Sequence, residues 1–159
     1  MARERTRVSR DEARLYSEVT LPTGIDQTWR MLIEPESIRR LHGLQDIKTR
    51  TGARGTELGA VYSCRYADPH REPEVIRVTE SDQGAVHSVV YETKSTGPLY
   101  MTAYLTSDGA VTRVGTAWLW EPGNRRPRFT RNSVKDRMNQ LNDRLLELAA
   151  SESSRQGNG

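Results

Sequence analysis

Residues 131–150 read RNSVKDRMNQLNDRLLELAA, and within them Val134, Met138, Leu141, Leu145 and Leu148 recur at spacings of four and three. That period puts all five on one face of a helix. The helix follows a long run of strand-like segments. A lone amphipathic helix closing a mostly β chain buries its stripe against the concave face of a curved antiparallel sheet. Such a grip often encloses a cavity, which implies a protein that holds a small apolar molecule.

Working back from that helix, strand signals alternate with turn chemistry. Residues 44–50 and 56–66 flank Thr51-Gly52-Ala53-Arg54-Gly55, 73–80 and 85–93 flank Ser81-Asp82-Gln83-Gly84, and 98–106 and 111–120 flank Ser107-Asp108-Gly109-Ala110. Each break carries the Gly, Asp or Ser that turns require. Glu121-Pro122-Gly123-Asn124 ends the sheet. Upstream, Leu15–Leu21 alternates with period two as the first strand. Ile25, Trp29, Leu32 and Ile33 then fall at helical spacing, with Thr23 as the expected N-cap. Pro35 opens a second short helix that Gly43 stops. The expected domain is a single unit over residues 14–150, with a flexible tail at 1–13 and a disordered one at 151–159.

Composition narrows the class. The chain has 159 residues, enough for one domain with a real core, and its net charge of +3 is mild for a nucleic-acid binder. Phe129 is the one aromatic beside the basic residues near 125–137, so a single-strand stacking surface ranks last. No segment approaches a membrane span. The first residues lack the apolar core of a secretory signal, and the single Cys64 suits a reducing cytoplasm. No metal, nucleotide or serine-nucleophile motif is present, and His42, His70 and His87 lack ligand spacing, so no cofactor is expected.

The order strand, two helices, six strands, long helix resembles the helix-grip fold of the START-like, Bet v 1-like superfamily (SRPBCC), an α+β architecture. It is most similar to the bacterial polyketide aromatase/cyclases. Three local matches carry the resemblance: Ser17-Glu18-Val19-Thr20-Leu21-Pro22 followed by Trp29; Thr96-Gly97-Pro98 followed by Tyr100-Met101; and Thr112-Arg113-Val114 through Glu121-Pro122. It implies a seven-stranded antiparallel sheet wrapped around the C-terminal helix, and a cavity for a poly-β-ketone or related aromatic intermediate that undergoes ring closure and dehydration. The other reading is a binding or carrier module without chemistry. Where the aromatase/cyclases usually carry aromatics and a proline in the second helix, this chain has Ile38, Arg39 and His42. Where they place a Trp in the last strand, it has Thr116, with Trp118 two residues on.

The resemblance makes Arg77 a candidate cavity cation that would stabilise a developing oxyanion. Alternation leaves its face open, because Ile76 and Val78 oppose it while Val75 shares its side. His42, ending the second helix, is the candidate proton carrier, against a solvated histidine on the helix dipole. The expected ligand contacts are Ile38, Val75, Val90, Met101, Ala103, Leu105, Thr116, Trp118, Met138, Leu141 and Asn142. Arg125, Arg126, Arg128, Arg131, Lys135 and Arg137 oppose the dipole at the start of the last helix. They imply an acidic acyl carrier protein as partner, against a solvated basic loop.

Overall fold

The computed structural model describes residues 6–50, 59–121 and 129–157. Seven strands form one antiparallel sheet in the order β1-β7-β6-β5-β4-β3-β2. They are β1 (Leu15–Leu21), β2 (Leu44–Thr49), β3 (Val61–Tyr66), β4 (Glu74–Asp82), β5 (Val86–Glu92), β6 (Leu99–Asp108) and β7 (Val111–Trp120). Helices α1 (Ile25–Ile33) and α2 (Pro35–Leu41) lie between β1 and β2, and α3 (Arg131–Gly157) follows β7. This is the helix-grip arrangement that the stripe and the turn spacing predict. The predicted 56–66 strand is seen from Val61; its residues 56–58, and residues 51–55 and 122–128, lie outside the described residues.

Three hairpin and cap positions use glycine because the backbone turns left-handed there: Gly43, Gly84 and Gly109 have φ of 63°, 77° and 68°. Gly43 also leaves room for Arg144, whose guanidinium would lie 2.8 Å from a Cβ built there. The α1 cap differs from expectation. Gly24 is the N-cap, and Thr23 instead joins its hydroxyl to Thr28 at 2.7 Å while its carbonyl accepts from Thr112.

The core is the concave face of the sheet closed by α3. Val134, Met138, Leu141, Leu145 and Leu148 are all buried there, against Tyr62, Ile76, Val78, Val89, Tyr91, Met101, Val114 and Trp118. Burying a side chain of this size contributes ~1.5–3 kcal/mol before chain entropy is counted.

Among the described residues, ordered contacts and helix reach into both terminal segments. Helix α3 continues to Gly157, seven residues past Ala150. At the other end, residues 6–13 lie on the convex face. Val8 is 1% exposed, its amide donates to Thr102 Oγ1 at 2.8 Å, and its carbonyl accepts from Tyr104 Oη at 2.5 Å. Arg7 pairs with Glu80, and Thr79 donates to the Thr6 carbonyl. A mostly polar run is thus pinned by its buried Val8, whose amide donates to Thr102, itself hydrogen-bonded to Ser88.

Candidate functional site

Strand pleat sorts the candidates by face. In β4, Ile76 and Val78 enter the core, so Val75 and Arg77 lie on the convex side. Arg77 donates to Glu92 Oε1 at 2.8 Å there. Its Cα partner in β5 is Val90, which is also on the convex side because Val89 and Tyr91 face the core. Arg77, Val75 and Val90 therefore do not line the void between α3 and the sheet, and Val75 and Arg77 border an open groove on the convex side instead. The apolar alternates Ile76 and Val78 take the buried face, and a long cation with a carboxylate across the strand takes the wet one.

The cavity lies beneath α2, between α1, the middle strands and α3. Its walls are Leu32, Ile38, Leu41 and His42 on one side and the inward faces of β3–β6, together with Leu141, on the other. Of the candidate residues, Ile38, His42, Met101 and Leu141 line this void. Met138, Ala103 and Leu105 are buried in the core but do not line this void. Trp118 sits one layer behind, stacked on Tyr91 with ring centroids 6.1 Å apart. Thr116 and Asn142 belong to a structural chain: Asn142 donates to Ser17, Ser17 meets Thr116, and Trp118 Nε1 donates to Thr116. That chain ties α3 to β1 and β7 through the Asn142 amide nitrogen, while Asn142 Oδ1 is buried without a partner among the described residues.

The void is small. The space open to a water's centre is ≈ 20 Å³, room for a water and far below the several hundred Å³ of a drug-sized pocket. The expectation of a preformed ligand-sized cavity is corrected: large residues, Tyr62, Tyr91 and Met101, fill it.

The void is lined mainly by carbon, yet three of its lining residues carry unpartnered polar atoms. Tyr62 Oη, Tyr91 Oη and His87 Nδ1 are buried without a hydrogen-bond partner among the described residues. All three residues line the cavity. Burial raises the Tyr62 phenol to about 12 and raises Tyr91 further, so both stay protonated donors. Burial lowers His87 to about 4, which keeps it neutral, edge-on to Trp29 at 5.7 Å. His42 is lowered to about 3, first by burial and then by the charges of Arg137, Arg144 and Arg71. It contacts the Tyr91 ring edge-on at 5.4 Å. A neutral His42 does not act as the helix-dipole cation of the alternative reading.

Beside Tyr91 runs a buried ion pair. Arg137 on α3 meets Glu74 on β4 through two hydrogen bonds of 3.0 and 2.5 Å, and Tyr66 Oη donates to the same carboxylate at 2.8 Å. Arg137 lies 4.1 Å over the Tyr91 ring. Burial alone would lower its pKa, but the charge and hydrogen bonds of Glu74 hold it above the ordinary value. So Arg137, expected in a solvated basic cluster, is an interior residue. Arg131 donates to the Arg14 carbonyl, and Lys135 is exposed. Arg125, Arg126 and Arg128 lie outside the described residues. Phe129, the aromatic that a nucleic-acid surface needs, packs against the core.

His87, Tyr62 and Glu74 are the site residues that sequence reasoning missed, whereas Tyr91 is, with Tyr100 and Tyr104, a candidate hydrogen-bond donor in the sequence. Three histidines far apart in sequence gave no spacing signal, and strand register left the tyrosines' faces open. Arg137 carried a signal: it stands three residues after Val134 and four before Leu141, beside the apolar stripe.

Comparison with known proteins rests on structure. No family model matches the chain, and no curated protein matches it in sequence. Solved structures do. Ara h 8.0201 aligns with a TM-score of 0.69 at 12% identity, over 86% of this chain and 97% of its own. DynU16, from the dynemicin biosynthetic locus, aligns at 0.61 and 16% identity, over 84% of this chain and 45% of its own. Truncated norcoclaurine synthase from Thalictrum flavum aligns at 0.56 and 11% identity, over 84% of this chain and 91% of its own. The chain has the Bet v 1-like helix-grip fold. No helix among the described residues is long and apolar enough to cross a membrane.

Proposed function

We propose that the protein binds a small apolar molecule carrying carbonyl or hydroxyl oxygens, aromatic or polyketide-like, between α3 and the sheet. One observation carries this reading: three buried polar atoms, Tyr62 Oη, Tyr91 Oη and His87 Nδ1, stand without partners around one apolar void. Each costs ~1–3 kcal/mol in the free protein. A ligand oxygen reverses that cost, and a hydrocarbon does not. The two phenols donate to a carbonyl, and His87 Nδ1 accepts or donates according to its tautomer. Since the void is too small for such a molecule, uptake requires its α2 wall to move. That wall is a helix of seven residues, too short to be stable on its own.

Ring closure is the second reading. It is favoured by the same two phenols, which stay protonated and so can hold an enolate oxygen while the walls orient a folded poly-β-ketone. It also accords with the likeness to DynU16, from a biosynthetic locus. An acidic acyl carrier protein would then deliver the chain in a reducing cytoplasm. Binding ranks first because the histidines on the void are weak bases and Arg77 lies on the other face.

The test is calorimetric titration with 1-acetonaphthone and, as its oxygen-free match, 1-ethylnaphthalene. The ketone should bind more tightly, by up to about tenfold per hydrogen bond gained. Equal affinity, or saturation by neither, overturns the reading. Incubation with a linear aryl triketone, followed by mass spectrometry for loss of water, separates catalysis from binding.

A further inference from the structure

We propose that the His42 end of the void selects an acidic ligand, bound with its anionic oxygen among Arg71, Arg137 and Arg144 and its apolar ring in the cavity. This rests on the binding reading above and adds a ligand class to it.

The contacts form one connected chain. Arg71, in the β3–β4 loop, stacks its guanidinium 3.6 Å from the Tyr66 ring. Tyr66 Oη lies 3.5 Å from Arg137 Nη2, and Arg137 covers Tyr91, whose ring meets His42. On the other side of His42, Arg144 donates to the Leu41 carbonyl at 3.1 Å and covers Gly43. Arg137, Leu141 and Arg144 are spaced four and three apart on α3, so they share a face. Leu141, between the two arginines, is a wall of the void. Arg137 and Arg144 thus stand on either side of Leu141 along α3, and both, with Arg71, are near enough to His42 to act on it electrostatically.

Only one carboxylate is built into this group. Glu74 is committed to Arg137 and Tyr66. Of the carboxylates nearby in the β3–β4 loop, Glu72 is bonded by Ser95, and Asp68 accepts from the His70 amide. Asp136, Asp143 and Glu147 on α3 are exposed. Neither Arg71 nor Arg144 has a carboxylate partner among the described residues. Three cations around one anion make a positive field. It is strongest where the void approaches the surface, because His42 is the lining residue with partial exposure and a low-dielectric wall focuses the field there. His42 does not add to the repulsion, since the same arginines favour its neutral form. A carboxylate or ionised enol entering at this point gains two donors that now hold only a ring face and a backbone carbonyl.

The experiment compares 1-naphthoate with 1-acetonaphthone by calorimetry at low salt, on the wild-type protein and on Arg71→Gln and Arg144→Gln. Naphthoate should bind about tenfold tighter than the ketone, and its affinity should fall as salt rises. Each variant should lose several-fold more naphthoate affinity than ketone affinity. A wild-type preference for the ketone, or variants that weaken both probes equally, overturns the proposal while leaving the binding reading in place. Binding of neither probe overturns both. Because the wild-type ratio is measured first, a variant that fails to fold does not protect the proposal.

Discussion

Removing the hydroxyl of Tyr62 should make the free protein more stable and the ligand-bound protein less so. The phenol oxygen is buried with no partner among the described residues, on a residue that is 0% exposed. Tyr62→Phe keeps the ring and deletes only that oxygen. The gain should be ~1 kcal/mol, the lower end of the cost of an unsatisfied buried hydroxyl, because some relaxation accompanies it. For a chain of this size that corresponds to a rise of ~2–4 °C in Tm. Tyr91→Phe should behave alike. Tyr66→Phe is the internal control: its hydroxyl donates to the Glu74 carboxylate at 2.8 Å, so its removal should cost ~1.5–3 kcal/mol. The assay is urea unfolding of all three variants, with and without 1-acetonaphthone. Tyr62→Phe and Tyr91→Phe should each gain free stability and lose part of the ligand-induced increment. If Tyr62→Phe is destabilised by as much as Tyr66→Phe, its hydroxyl is satisfied in the free protein, and the argument from orphaned polar atoms fails.

Four further outcomes follow from the packing. Acid should destabilise the fold through His87: its folded pKa of about 4 lies below the ordinary 6.5, so the unfolded chain binds a proton that the folded one refuses. Stability is full above ~6.5, His87 withdraws up to ~3 kcal/mol as pH falls toward ~4, and His87→Phe should remove that share of the limb in urea unfolding at pH 4.5 and 7 while the share of His42, lowered to about 3, persists. Glu74→Ala should cost ~3–5 kcal/mol by chemical denaturation, since it strands the largely buried Arg137; a loss under ~1 kcal/mol would contradict the buried pair. Arg77→Ala should change stability by no more than ~0.5 kcal/mol and leave ketone binding intact, as suits a half-exposed pair on the convex face. Val8→Ala should cost ~1–2 kcal/mol if the N-terminal segment is docked, and nothing measurable if it is free.

The fold was legible because each of its elements repeats a signal. Five apolar residues on α3 agree with one another, and turn residues recur between the strands, so no single ambiguous position decides the outcome. The site was legible only where a residue sat on an element with a strong period, as Ile38 and Leu141 do. Arg77 shows why the rest was not. Its neighbours Val75, Ile76 and Val78 are all β-branched, so β4 lacks the clean alternation that assigns a face, and the choice is made by Glu92 across the strand. The sequence holds that pairing only once the β4–β5 register is known, and a bulge between Val78 and Glu80 shifts the register within the hairpin.

The same reasoning explains why the polar heart of the void was invisible. Tyr62, His87 and Tyr91 come from β3 and β5, which are not neighbours in the sheet, because β4 lies between them. Their convergence is a product of sheet curvature and of α2 closing over the top. It obeys no spacing along the chain. Stability alone gives no reason to keep it: three partnerless polar atoms weaken the free protein, and phenylalanine in place of either tyrosine would pack as well. Arg137 and Glu74 add to the case, since a buried ion pair is commonly matched or bettered in stability by apolar residues of like volume. A core filled to a ≈ 20 Å³ void that retains these polar groups where hydrocarbon would serve is the feature that the binding proposal accounts for.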